Sequence, residues 1–132
     1  MLFSSVHHIA IICSNYEKSK DFYGGRLGLE LYGIVEGRHI FFKLPEGSML
    51  LCFLSEASRM GELLPAHGAA GQQHLAFEVE KADYGAWRKK LEGSSIPVEH
   101  EQTWARGIRS FYFRDPDGHL LEICEPGIWD KI

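Results

Sequence analysis

The chain contains few cysteines, no long apolar run and no excess of basic charge. Its three cysteines, Cys13, Cys52 and Cys124, include no C-x-x-C pair, which argues against a disulfide framework and favours a reducing compartment. No stretch approaches the roughly 18 apolar residues of a membrane span, and the N-terminus lacks a secretory signal. The net charge of −4 disfavours nucleic acid and anionic membranes as partners. We therefore expect a cytoplasmic protein that binds neither.

The size and composition are those of a globular protein. A chain of 132 residues with 45% apolar and 24% charged residues can bury one ordinary core. We expect a single domain over residues 1–132.

Two short sequences 66 residues apart share one pattern. His8-Ile9-Ala10-Ile11 and His74-Leu75-Ala76-Phe77 each read histidine, apolar, alanine, apolar. Each opens a predicted order of strand, helix and three strands. Strands are predicted at 6–13, 29–36, 39–44, 49–55, 73–80, 98–104, 110–114 and 120–124, helices at 16–27 and 82–91, and a connection at 56–71. Asn15 is the expected N-cap of the first helix and Gly28 its stop. The predicted fold is α+β: two βαβββ modules, at about 5–58 and 72–126, that pair to complete a core.

Alternation along the strands separates two faces. His8 and Ala10 share one face of the first strand, and His74 and Ala76 share one face of the fifth. Bulky apolar residues occupy the opposite faces, which should pack under the helices. The histidine faces should therefore line a cavity.

The chain resembles the vicinal oxygen chelate superfamily of glyoxalases, bleomycin resistance proteins and extradiol dioxygenases. The resemblance rests on V-H-H-I-A-I-I, F-Y-G-G-R-L-G-L, Q-H-L-A-F-E-V and S-F-Y-F-R-D-P-D-G-H-L-L-E. It implies a glyoxalase-like domain, a curved mixed sheet around a central metal cavity, and a homodimer.

The resemblance also implies the site. His8, His74 and Glu122 match the superfamily's metal ligands, and Glu122 is the expected catalytic residue. Imidazoles and a carboxylate suit one divalent ion, which can be Zn, Ni, Mn, Co or Fe. The alternative is a buried polar network without metal. Glyoxalase I usually has a fourth ligand, a glutamate, and here Leu51 or Cys52 stands at that position.

Five residues are candidates for substrate binding. Ser110 and Tyr112 share the strand face turned toward the cavity, and related thiol transferases use this pattern. Trp104 and Arg109 flank a loop that could clamp an anion, with an exposed basic turn as the alternative. Cys52 is the fifth candidate, and the alternative is that it is simply a small buried apolar residue. His7 is expected to be structural, His119 to be a solvated turn residue, and His100 has no supporting context.

The predicted function is a metal-dependent lyase or isomerase of the glyoxalase type. Its substrate would be a small oxygenated molecule, for which a thiol adduct is one candidate. Three alternatives remain: a thiol transferase that opens an epoxide, an extradiol dioxygenase, and a small-molecule binding protein without catalysis.

Overall fold

The computed structural model describes residues 1–2, 5–56, 69–128 and 130. The chain divides into two compact units, Met1–Gly71 and Gln72–Ile132. The division falls at the predicted start of the second module. The predicted end of the first module, at residue 58, and most of the connection 56–71 lie outside the described residues.

The described residues of the first unit include a four-stranded mixed sheet and a helical segment between its first two strands in chain order. Its elements are β1 (His8–Cys13), α1 (Tyr16–Ser19) with a π-helical continuation (Lys20–Arg26), β2 (Glu30–Val35), β3 (His39–Lys43) and β4 (Met49–Leu54). The strand order is β1-β4-β3-β2. Strand β1 is parallel to β4, and the other pairs are antiparallel.

The second unit repeats this topology. Its elements are β5 (His74–Glu78), α2 (Tyr84–Gly93), β6 (His100–Thr103), β7 (Arg109–Arg114) and β8 (Leu120–Cys124). The strand order β5-β8-β7-β6 is the counterpart of the first sheet, with β5 parallel to β8. The predicted α+β architecture of two βαβββ modules is confirmed.

Local signals in the sequence set the ends of the first helix. The Asn15 side-chain oxygen accepts the backbone N–H groups of Glu17 and Lys18 at 2.9 and 3.2 Å, which satisfies donors that the helix leaves unpaired. Gly28 follows the helix with a φ of +79°, a conformation that glycine adopts without a steric penalty. The π-helical turns between Lys20 and Arg26 were not predicted, because the apolar spacing that signals a helix does not distinguish the two windings.

One face of each sheet packs under its helix, as the alternation predicts. In the first unit the buried apolar side chains include Ile11, Phe22, Tyr23, Ile40, Phe42, Leu50 and Cys52. In the second they include Leu75, Tyr84, Leu91, Phe111, Phe113, Leu121 and Ile123. Each large side chain removed from water contributes roughly 1.5–3 kcal/mol, so these two clusters fix which face of each sheet stays open.

The histidines lie on the open faces. His8 and Ala10 are exposed on β1, and His74 and Ala76 are exposed on β5. No helix among the described residues is long and apolar enough to cross a membrane.

Candidate metal centre

His74 and Glu122 approach each other on the open face of the second sheet. They lie on adjacent parallel strands, where His74 pairs with Leu120 and Ala76 with Glu122. This register places the two side chains on the same face, one step of the alternation apart. His74 Nε2 lies 3.4 Å from Glu122 Oε2. Glu122 is only 6% exposed, so its carboxylate needs a favourable partner.

The backbone orients the His74 ring. Its Nδ1 lies 2.9 Å from the carbonyl oxygen of Leu120. A carbonyl can only accept a hydrogen bond, so Nδ1 carries a proton, and in the neutral ring the lone pair is then on Nε2. Metal-binding histidines are commonly held in this way, with the second ring nitrogen donating to a backbone carbonyl or a carboxylate. The nitrogen that faces Glu122 is therefore the one able to bind a cation.

The separation of the two donors fits a shared divalent ion. Imidazole nitrogen and carboxylate oxygen bind Zn²⁺ at roughly 2.0–2.2 Å, so two such donors at ordinary angles lie about 3.0–3.4 Å apart. The 3.4 Å between His74 Nε2 and Glu122 Oε2 agrees with this range. Within the described parts of the chain, however, no three His, Cys, Asp or Glu side chains form a group that could hold an ion. The structure brings together two of the three predicted ligands, and the third, His8, belongs to the first unit.

Tyr112 and His100 extend the same face toward the edge of the sheet. Tyr112 on β7 pairs with Glu122, and His100 on β6 pairs with Tyr112. The His74 and Tyr112 rings lie 6.2 Å apart, and the Tyr112 and His100 rings 5.9 Å apart. His100 Nε2 also lies 3.0 Å from the side-chain oxygen of Gln102. No sequence pattern singles out His100, because only the strand register places it beside Tyr112.

Three of the predicted substrate residues form a hydrogen-bond chain to Glu122. Trp104 Nε1–H donates to Ser110 Oγ at 2.9 Å, and the Tyr112 hydroxyl bonds with both Ser110 and Glu122. An indole can only donate and a carboxylate can only accept. The donors therefore run from Trp104 through Ser110 and Tyr112 to Glu122.

Two groups on this face hold their protons near neutral pH. Burial raises the pKa of the Tyr112 phenol, Glu122 raises it further, and the hydrogen bond with Ser110 acts in the opposite direction. Burial raises the pKa of the Cys124 thiol to about 11, with contributions from the carboxylates of Glu122 and Glu78. Near pH 7 Tyr112 is thus a donor, and Cys124 is a thiol rather than a nucleophilic thiolate.

The open face of the first sheet combines His8 with an aromatic cluster. His8 Nδ1 lies 2.9 Å from Nδ1 of His7, so one of the two rings donates to the other. Farther along the face, His39 stacks on Phe41 with ring centres 3.9 Å apart, and Phe53 packs edge-on against both. Burial, with a smaller contribution from Arg38, lowers the pKa of His39. The cluster therefore presents a neutral, largely apolar surface.

The strand register identifies the position of the fourth ligand expected for glyoxalase I. Ala10 pairs with Leu51 in the first sheet as Ala76 pairs with Glu122 in the second. Leu51 is therefore the counterpart of Glu122, and it carries no carboxylate. Cys52, the other candidate, pairs with Ile11 and Ile40. Its side chain is 0% exposed on the helix-packed face, away from the open face on which a substrate contact was predicted.

Both arginines of the loop predicted to clamp an anion bind other groups of the protein. The Arg109 guanidinium binds the Glu125 carboxylate and lies 4.4 Å over the Tyr84 ring. Arg106 donates to the backbone carbonyls of Gly127 and Asp130 at 2.6 and 3.2 Å. The structure thus places Arg109 on the α2 side of the sheet, opposite Ser110 and Tyr112.

His119 was predicted to be a solvated turn residue, and the structure places it in the interior. It is 1% exposed, and its Nδ1 accepts the backbone N–H of Gln73 at 2.9 Å. The contact joins residues 46 positions apart in the chain, so no local pattern indicates it.

Comparison with known proteins agrees with the duplicated fold. The family model described as the Glyoxalase/Bleomycin resistance protein/Dioxygenase superfamily matches residues 5–123. The chain is 38% identical over 130 residues to the uncharacterized protein YwkD of Bacillus subtilis (strain 168), covering 95% of this chain and 99% of that protein. It is 29% identical over 123 residues to the glutathione transferase FosA of Serratia marcescens, covering 92% and 81%. The crystal structure of a lactoylglutathione lyase from Agrobacterium tumefaciens matches with a TM-score of 0.91 and 33% identity, covering 97% and 98% of the two chains.

Proposed function

Since the chain belongs to the glyoxalase/bleomycin resistance protein/dioxygenase superfamily, we propose that it is a metal-dependent lyase or isomerase of the glyoxalase type. In this proposal His8, His74 and Glu122 bind one divalent ion, and a small substrate binds through its oxygens. The observation that carries the proposal is the 3.4 Å approach of His74 Nε2 to Glu122 Oε2, with His74 Nδ1 occupied by the Leu120 carbonyl.

A bound divalent ion would act as a Lewis acid that stabilises negative charge developing on the substrate oxygens. The protein's own residues orient the site. Tyr112 keeps its proton and donates to Glu122, which fixes one carboxylate oxygen. The chain through Ser110 and Trp104 limits rotation of the Tyr112 hydroxyl. Glu122 is the group that would carry a proton to or from the substrate.

Thiol transfer to an epoxide is the second candidate. The leucine at position 51, the counterpart of Glu122, favours it, because the proton transfer of glyoxalase I is expected to need a carboxylate there. The similarity to FosA, a glutathione transferase, supports it further. Either reaction would use a small-molecule substrate, and a homodimer remains part of the proposal, to be tested by sedimentation.

Elemental analysis tests the metal site. The purified protein should carry about one divalent ion per chain. The His74→Ala variant should lose it, because removing a ligand weakens binding strongly. His100→Ala is the matched control, since it removes another histidine from the same sheet face and should leave metal content unchanged. Equal metal contents in the wild type and His74→Ala would reject the site.

Activity assays separate the two reactions. A lyase should turn over the adduct of methylglyoxal with a thiol, and a chelator should abolish that turnover. A thiol transferase should instead protect a strain that overproduces it from fosfomycin, and the His74→Ala variant should not. A protein that binds metal and does neither would contradict both candidates.

A further inference from the structure

We propose that His119 is a positioning residue of the metal centre, which fixes Gln73 and thereby the orientation of His74. This inference rests on the metal site proposed above. It adds a residue that acts on His74 through Gln73. Its starting point is the hydrogen bond from the Gln73 N–H to His119 Nδ1.

The chain segment at residues 119–120 binds both backbone groups of Gln73. His119 Nδ1 accepts the Gln73 N–H at 2.9 Å, and the Leu120 N–H donates to the Gln73 carbonyl at 2.8 Å. The next residue is His74, whose Nδ1 meets the Leu120 carbonyl at 2.9 Å. The three bonds together align the start of β5 with the start of β8. The direction of the His74 ring therefore depends on how residue 73 is held.

A tight turn over residues 115–119 holds the backbone of His119. The Asp115 side-chain oxygen Oδ1 accepts the backbone N–H groups of Asp117 and His119, each at 2.9 Å. Gly118 has a φ of +79°, and its N–H donates to the Asp115 carbonyl at 3.0 Å. The turn fixes the backbone of residue 119, and burial of the ring at 1% exposure restricts its side chain. His119 can therefore transmit the position of the turn to Gln73.

The required chemistry is a hydrogen-bond acceptor at one place. Because the Gln73 N–H is a donor, His119 Nδ1 must be unprotonated, and the ring proton is on Nε2. Asparagine carries its oxygen at a position close to that of Nδ1, so it can supply the same acceptor. Leucine has a branched shape similar to that of asparagine and no acceptor. His119→Asn and His119→Leu are therefore a matched pair that differs mainly in this one hydrogen bond.

Zn²⁺ affinity, measured by competition with a chromophoric chelator, is the first readout. We expect His119→Leu to bind Zn²⁺ about 10–100-fold more weakly than the wild type, the range found when groups that orient metal ligands are removed. His119→Asn should stay within about threefold of the wild type. Thermal unfolding identifies variants that are folded. If His119→Leu does not fold, His119→Gln replaces it, because its longer side chain moves the acceptor away from Gln73.

Nuclear magnetic resonance of the metal-free protein is the second readout. In the wild type the Gln73 amide should be protected from hydrogen exchange, and the ring nitrogens of His74 should report one tautomer with the proton on Nδ1. In folded His119→Leu the amide should exchange faster, and His74 should populate both tautomers. A purely structural role would lower stability in that variant without changing the His74 tautomer or the Zn²⁺ affinity, and that result would overturn the proposal. If the wild type binds no Zn²⁺, the proposed function fails, while the tautomer and exchange data still decide whether His119 positions His74.

Discussion

Replacing Arg109 with methionine tests whether its guanidinium serves the fold or a substrate. Glu125 is 2% exposed and accepts the Arg109 backbone N–H at 2.9 Å and Nε at 3.1 Å. The variant keeps the backbone bond and an apolar side chain near Tyr84, and it leaves the buried carboxylate without its cation.

The expected cost follows from the burial of each partner. Removing one member of a fully buried ion pair costs about 3–5 kcal/mol. The Arg109 side chain is 50% exposed, so solvent screens part of the attraction. We expect Arg109→Met to lower the free energy of unfolding by about 2–3 kcal/mol. Arg26→Met is the control: Arg26 pairs with exposed Asp21, and its loss should cost less than about 1 kcal/mol.

Urea denaturation at two pH values measures the effect. The hydrogen bonds from Arg109 hold the pKa of Glu125 below its ordinary value of 4.5 in the folded protein. The contribution of the pair is therefore present above that value and is lost as the pH falls through the lower folded pKa. The difference between the wild type and Arg109→Met should be largest near neutral pH and shrink in acid. A free energy of unfolding within about 0.5 kcal/mol of the wild-type value at neutral pH would refute this prediction. Arg109 would then again be a candidate for substrate binding.

Two further predictions concern the open face of the second sheet. Glu122→Leu should abolish the rise in melting temperature that Zn²⁺ gives the wild type. Without metal the variant should be at least as stable as the wild type, because an apolar residue replaces a buried carboxylate. An unchanged Zn²⁺ effect on the melting temperature would show that the ion binds elsewhere. Cys124, whose pKa is raised to about 11, should react with iodoacetamide at pH 8 at least about tenfold more slowly than an ordinary thiol. Mass spectrometry of the labelled peptides measures the rate. Labelling as fast as that of an ordinary thiol would contradict the raised pKa of Cys124.

The sequence predicts those parts of the fold that depend on local patterns. Alternation and turn residues locate all eight strands to within a few residues, and Asn15 and Gly28 bracket the first helix because caps act through adjacent backbone groups. The choice between Leu51 and Cys52 stayed open, because one residue of strand phase separates the open face from the helix-packed face. Only the observed pairing of Ala10 with Leu51 resolves it.

Contacts between distant residues explain what the sequence could not show. His119 follows a turn sequence that usually lies in solvent, and its partner Gln73 is 46 residues away. Arg109 was grouped with its loop neighbours, but its partner Glu125 lies beyond the end of β8. In both cases the decisive interaction depends on how strands pair, which a single sequence does not specify.

Because the two sheets have matching registers, residues at equivalent positions can be compared within one chain. The first five register pairs of β1 with β4 match the five pairs of β5 with β8, so His8 corresponds to His74 and Leu51 to Glu122. The two sheets share the histidine and differ at the carboxylate position. Exchanging residues between matched positions, Leu51→Glu with Glu122→Leu, would therefore ask whether one sheet can take over the other's role, a comparison that an unduplicated fold does not offer.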